Sequence, residues 1–226
     1  EVPTSNDHWE LLVARGARSN QISWRTRPAE NMTVNDIGIW KSAGVSGWNS
    51  EAYSLESYVG GCVLAFNAGT TDKAAMIGLS TNPWANTNYT HIDFCWYLRS
   101  DGRVEIYESG NLRSIGTVRY EVGDTFHILY QDNQVKYYHN GKLMRTATTT
   151  AGRKFYIDSS FSAVGTSPVF YDITFDHHTA FLDWVQNWDS AKVEIKGDAV
   201  LSPKIFVGNN GGTADNPILT GIAIGR

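Results

Sequence analysis

Only two cysteines stand among 226 residues, too few to staple a secreted domain of this size, so the fold must rest on an apolar core. Cys62 and Cys95 each sit inside an apolar run and read as buried free thiols, though a pair on neighbouring strands would be able to touch. No apolar stretch reaches the roughly 18 residues that a membrane-spanning helix needs. The polar opening Glu1–Asp7 does not read as a signal peptide, and a first residue other than Met reads as a fragment. The net charge of −4 contains no long basic run, which removes the electrostatic footprint expected for nucleic acid or anionic lipid. Gly-x-Ser-x-Gly, Gly-x-x-x-x-Gly-Lys and Cys-x-x-Cys are all missing, so nucleophile-elbow, phosphate-loop and thiol-redox chemistry lack their motifs.

What the chain does have is aromatic residues, 12% of the total with 8 Trp and 11 Tyr, a composition suited to sandwich cores and to surfaces that stack on rings. The clearest local signal lies in Thr125–Thr150. There Thr125–Tyr130, Val135–His139 and Leu143–Arg145 alternate with a period near two, separated by Asp132-Asn133 and by Asn140-Gly141. Asn-Gly supplies the positive φ angles of a type I′ turn, so this stretch predicts a three-strand meander with Lys136, His139 and Lys142 on the wet side.

Further β runs follow from Ile37: Ile37–Trp40, Tyr53–Leu55, Cys62–Phe66, Ala75–Leu79, Ile92–Leu98, Val104–Tyr107, Phe155–Phe161 and Val169–Phe175. Short polar or glycine turns separate them, and no long helix interrupts, which predicts a closed two-sheet body of about ten strands. In the run His91–Leu98, period two places Ile92, Phe94, Trp96 and Leu98 on one face and His91, Asp93, Cys95 and Tyr97 on the other. The expected organisation is an N-terminal arm (1–34), a β-sandwich (35–176), and a connector with a C-terminal β segment (177–226). Phe181, Leu182, Trp184, Val185 and Trp188 suit a short amphipathic helix, and the alternating run after Ala191 suits strands that find their partners in other copies of the chain. Trp184, Trp188, Val193, Ile195, Val200, Ile205 and Val207 are the expected oligomerisation residues.

Through Gly47–Ser54, the paired strands around Phe94 and Ile106, and Val122-Gly123-Asp124 leading into Val135–Leu143, residues 35–176 resemble the concanavalin A-like (LamG/SPRY-type) sandwich modules. The resemblance implies an all-β, two-sheet jelly roll, a scaffold that hosts lectins, peptide binders and hydrolases alike. Asp198–Gly208, followed by a Gly- and Asn-rich stretch, resembles segments of the central tail-fibre or host-specificity proteins of tailed bacteriophages. That likeness implies a homotrimer at the tip of a virion tail, facing outward to the host and assembled in the host cytoplasm. Its partner would be a bacterial surface receptor, either a glycan or an outer-membrane protein.

No enzyme is expected; the alternative readings are a fragment of a carbohydrate-active enzyme with an unrecognised acid pair and a purely structural spacer of a tail fibre. The Glu-x-Asp-x-x-Glu strand of laminarinase-like hydrolases is absent, and Glu105 and Glu108, three apart, would face opposite ways and read as solvated strand residues. Asp176, His177, His178 and Asp183 have metal-ligand character, but adjacent histidines diverge and no spaced third ligand completes a zinc site. Asp72 and Asp101 are oxygen donors of the kind Ca²⁺ takes, too common a type to decide for it; no cofactor is expected. The candidate binding site is the loop Ser80–His91, which combines rings with Asn amides able to stack on sugars and to bond hydroxyls in pairs. Asn82, Trp84, Asn86, Asn88, Tyr89 and His91, extended across the sheet by Asp93, Tyr97, Glu105 and Tyr107, form the expected ligand surface. The plainer account folds Trp84 back as a core plug and spends the asparagines on turns; Trp48 is read as a core residue.

Overall fold

The computed structural model describes residues 17–18 and 22–177, and their regular structure is nearly all β-strand. In chain order the strands are β1 (Ala17–Arg18), β2 (Trp24–Arg27), β3 (Met32–Asn35), β4 (Gly38–Lys41), β5 (Glu51–Ser54), β6 (Ser57–Val59), β7 (Gly61–Ala68), β8 (Ala75–Ser80), β9 (Phe94–Leu98), β10 (Arg103–Glu108), β11 (Asn111–Arg119), β12 (Thr125–Gln131), β13 (Gln134–His139), β14 (Lys142–Thr148), β15 (Lys154–Phe161) and β16 (Phe170–His177).

Two antiparallel sheets carry the body. One runs β14-β13-β12-β7-β16-β4-β3, with β1 beside β16; the other runs β11-β10-β9-β8-β15-β6, and β2 pairs with β5 as a separate ribbon. The chain passes repeatedly between the two sheets, and the crossings from β7 to β8 and from β15 to β16 pair strand for strand, β7 with β16 and β8 with β15. A ribbon wound over two layers in this way is a jelly roll, the expected fold class. The strands β2 and β3 lie in the segment read as an N-terminal arm, yet they are hydrogen-bonded to β5 and β4. The connector and the C-terminal β segment, including Trp184, Trp188, Val193, Ile195, Val200, Ile205 and Val207, lie outside the described residues.

Alternation explains the core. Leu64 and Phe66 of β7, Phe126, Ile128 and Tyr130 of β12, Ile77 and Leu79 of β8, and Trp96 of β9 all point between the sheets. Trp96 stands edge-on to Phe126 (5.2 Å) and Tyr137 (5.6 Å), and its Nε1–H donates to the His127 carbonyl (3.1 Å), joining the layers by packing and by a hydrogen bond. Cys62 and Cys95 are buried free thiols in different sheets, and burial pushes both well above the ordinary thiol range.

The meander forms as the Asn-Gly signal requires: Asn140 has φ +49° and Gly141 φ +77°, and Asn140 Oδ1 accepts the Thr125 N–H (2.9 Å). Gly141→Ala is expected to cost about 1 kcal/mol, because a Cβ is disfavoured at that φ; an unchanged urea midpoint would contradict this account of the turn. Lys136 and His139 are less wet than expected. His139 stacks on Phe126 (4.6 Å, 7°), holds Asp124 at 2.7 Å and leaves 11% of its side chain exposed, since it pairs directly with Phe126 and so shares the core-facing side of β13 with Val135 and Tyr137. Only Lys142 is fully exposed of the three.

Candidate functional site

The outer face of the β10-β9-β8-β15 sheet is built from the residues that alternation sends away from the core. Register places Tyr107 beside Cys95, Cys95 beside Gly78, and Gly78 beside Asp158; one pleat along, Glu105 lies beside Tyr97, Tyr97 beside Met76 and Met76 beside Ser160. On this floor Met76, Ile92 and Cys95 form a small apolar cluster, against which Trp48, Tyr89, Tyr97 and Tyr107 pack half-buried. The four rings close a cycle of edge-to-face contacts: Trp48–Tyr89 5.1 Å, Tyr89–Tyr107 5.8 Å, Tyr107–Tyr97 5.7 Å and Tyr97–Trp48 5.4 Å. Trp48 is therefore an outer-face residue rather than part of the main core. Ile92 also changes sides, because the 3-10 turn Tyr89–His91 precedes it and the strand phase begins only at Phe94.

Each ring is positioned by something specific. Lys41, fully buried at the end of β4, donates through Nζ to the Val45 carbonyl (2.6 Å), the Gly47 carbonyl (3.1 Å) and Asn49 Oδ1, and so shapes the turn that carries Trp48. Burial lowers its ammonium pKa. Tyr89 is set by the turn in which Asn88 Oδ1 caps the Thr90 N–H (3.1 Å). Tyr97 and Tyr107 face each other across β9 and β10, and Arg99 lies 5.9 Å from the Tyr97 ring while it pairs with Glu105 (2.8 Å). Burial raises the Tyr97 and Tyr107 phenols.

The loop that follows β8 divides between two tasks. Asp93 anchors its start by accepting from the Thr81 N–H (2.8 Å) and Oγ1 (2.9 Å) and pairs with Arg153 (2.8 Å). Asn86 accepts from the Asn88 N–H (2.7 Å) and contacts His91 through its side-chain amide, so Asn86, Asn88 and His91 serve the loop's own shape. Asn82 is exposed. Trp84 is not a core plug: it is 50% exposed and stands edge-on to Tyr156 at 5.3 Å. Of the predicted residues, then, the structure brings Tyr89, Tyr97 and Tyr107 together with Trp48, and sends Trp84 to the opposite flank of the loop.

Beneath that loop lie two carboxylates that the sequence did not single out. Glu51 and Asp158 are 0% and 2% exposed. Arg27 donates to Glu51 Oε1 through Nε (2.7 Å) and Nη2, while its Nη1 donates to the Trp84 carbonyl (2.9 Å), so one guanidinium ties the acid to the loop. Glu51 Oε2 is buried without a hydrogen-bond partner. Burial pushes Glu51 up to about 7 against the pull of Arg27, and burial with the nearby Glu51 charge holds Asp158 well above the usual carboxylate range. Both carboxylates are closed from solvent. The only hint of it in sequence is an acid flanked by apolar residues in Phe155–Phe161.

No known family pattern matches this chain, and no curated protein is similar to it. Among solved structures it is similar to a galectin-like protein of unknown function from Bacillus subtilis (10% identity, covering 75% of this chain and 98% of the other, TM-score 0.49). It is also similar to a carbohydrate-binding module from Bacillus subtilis (14%, 69% and 96%, 0.45) and to a β-glucanase from Bacillus licheniformis (19%, 74% and 90%, 0.41). The functional reading rests on this chain's own residues.

Glu105 and Glu108 do diverge, but neither is a solvated strand residue. Glu105 is held by Arg99, and Glu108 turns inward to bond Arg113 (2.8 Å) and Arg145 (2.8 and 3.1 Å), linking β10, β11 and β14. Asp101 is held by Arg99 and Arg103, and Asp72 by Lys73, so cations already occupy both candidate Ca²⁺ donors. Among the described residues no three of His, Cys, Asp and Glu cluster as a metal site; His178 and Asp183 lie outside them.

Proposed function

We propose that this chain recognises glycans without cleaving them, using the outer face of the six-stranded sheet as a stacking surface. The observation that carries the reading is the closed cycle of Trp48, Tyr89, Tyr97 and Tyr107, half-exposed on a rigid apolar floor. The C–H face of a pyranose packs on such rings. Because Tyr and Trp have few rotatable bonds and these are already packed, little conformational entropy is lost on binding. The finer reading takes its context from the sequence resemblance: a homotrimeric module at the tail tip of a bacteriophage, attaching to a bacterial surface glycan or outer-membrane protein.

A glycan array with the full chain, followed by calorimetry on the strongest hit, tests the site. Tyr107→Leu keeps apolar volume over Cys95 but removes the ring, and is expected to weaken binding about tenfold, the equivalent of roughly 1.4 kcal/mol. Affinity equal to wild type, in a variant whose circular dichroism is unchanged, would remove the tetrad from the site. A second reading has its own observation: Met76, Ile92 and Cys95 under the rings make a satellite core that pins the loop. On that reading the domain is a spacer, and no array glycan is retained.

A further inference from the structure

We propose that the strip on the other flank of the loop, from Lys154 through Tyr156, Trp84 and Arg27 to Tyr53 and Arg25, is a second subsite that takes a carboxylate-bearing sugar ring. It rests on the glycan-recognition reading but on none of the tetrad residues.

The strip is continuous by direct contact. Lys154 Nζ lies 5.2 Å from the centre of the Tyr156 ring, Tyr156 meets Trp84 at 5.3 Å, the Trp84 carbonyl accepts from Arg27, and the Arg27 guanidinium lies 6.0 Å from the Tyr53 ring. Arg25 is directly opposite Tyr53 in the β2–β5 register, so both side chains share that face. The rings of Trp84 and Tyr156 meet at 79°, which makes an open corner whose two walls fit the flat face and the rim of a pyranose.

Charge sets the ligand class. Arg25 and Lys154 are exposed and form no ion pair among the described residues, so two cations lie along a strip of one exposed ring, Trp84, and two half-buried ones, Tyr53 and Tyr156, in a chain of net charge −4. Of the acids nearby, Glu51 is bonded to Arg27, Asp158 is buried, and both Glu56 carboxylate oxygens accept from the Ser23 N–H at 3.0 Å, a bond that leaves the Glu56 charge in place. On the tetrad flank, by contrast, Arg99 is neutralised by Asp101 and Glu105. An ammonium beside the Trp84–Tyr156 corner, and a planar guanidinium farther along the strip beside Tyr53, complement a sugar that carries carboxylates, since charge-assisted hydrogen bonds to them are the strong ones.

The test is calorimetry of the full chain with a galacturonic acid hexamer and with its methyl ester, at low and high salt. The acid is expected to bind at least tenfold tighter than the ester and to weaken as salt rises. Trp84→Ala, and separately Arg25→Gln with Lys154→Gln, are each expected to weaken the acid tenfold or more; these residues are exposed, and unchanged circular dichroism checks that the fold persists. Equal binding of acid and ester, no binding of the acid at about 1 mM, or variants that bind like wild type would each overturn the subsite. Failure of the tetrad reading shows separately. There, Tyr107→Leu leaves neutral glycan binding unchanged while acid binding still depends on Trp84, an outcome that supports this proposal.

Discussion

Gly78→Ala is expected to lower the melting temperature by about 10 °C or more, the largest effect of any single methyl group considered for this molecule. Gly78 lies in β8, in the middle of the six-stranded sheet, between Cys95 of β9 and Asp158 of β15. A Cβ there would stand 2.0 Å from the Phe94 carbonyl oxygen and 2.6 Å from Cys95 Cα. Those are main-chain atoms of the neighbouring strand, so no side-chain rotation relieves the overlap. Either β8 and β9 part, with loss of ladder hydrogen bonds, or Cys95 moves and the floor under the aromatic tetrad tilts. Overpacking costs about 1–3 kcal/mol and occasionally more, and a clash with backbone that no rotamer relieves lies at the upper end. A shift below about 3 °C in a thermal melt would show that the close approach is not a constraint.

Glu51→Gln is expected to gain stability relative to wild type as the pH is raised, by about 2–3 kcal/mol between pH 4.5 and 7. The folded carboxyl titrates near 7, whereas an unfolded glutamate titrates near 4.5. Over that window the native state keeps a proton that the unfolded chain has released, so rising pH favours unfolding, and the loss levels off above 7. Asp158, also raised by burial, acts in the same direction. His127 acts in the opposite one: burial pushes its imidazole down to about 4, so the unfolded state holds the extra proton and stability grows with pH up to about 6.5. The two effects oppose each other in wild type, and the difference between variant and wild type reports Glu51 together with the Asp158 carboxyl to which its charge is coupled. Denaturant midpoints at several pH values measure it. Parallel curves for the two proteins would mean that Glu51 titrates like an exposed glutamate.

The parts of the fold that were legible were those where local chemistry and long-range packing agree. The Thr125–Thr150 meander needed only alternation and Asn-Gly, and it formed in the expected order. The long edge strand β11 was not anticipated, because Leu112, Ile115 and Val118 are three apart in a mostly exposed run whose own extra residues shift its register against β10. Two short strands, β2 and β3, were hidden in a stretch with no periodic signal, and their hydrogen bonds come from partners far along the chain. Ile92 was placed on the wrong face because alternation was run through a 3-10 turn.

The same distinction holds for the site. Asn86 and Asn88, expected on the ligand surface and only on the plainer account in turns, do act on backbone two residues away, an effect local enough to be read from sequence. The tetrad was not, since Trp48 reaches Tyr97 only through the packing of a turn shaped by buried Lys41. Nor was the contact of Arg27 with Glu51 and with the Trp84 carbonyl, which spans 24 and 57 positions of sequence.

By itself the sequence determined that this is an aromatic-rich, antiparallel β protein and which residues alternate, because a strand's two faces repeat every second residue whatever lies around it. Tertiary structure alone decided which alternate face became core and which a patterned exterior, and which acids were sealed beneath the loop. Sheet order and strand register are set by the total packing of both layers, and no local window of residues contains that sum.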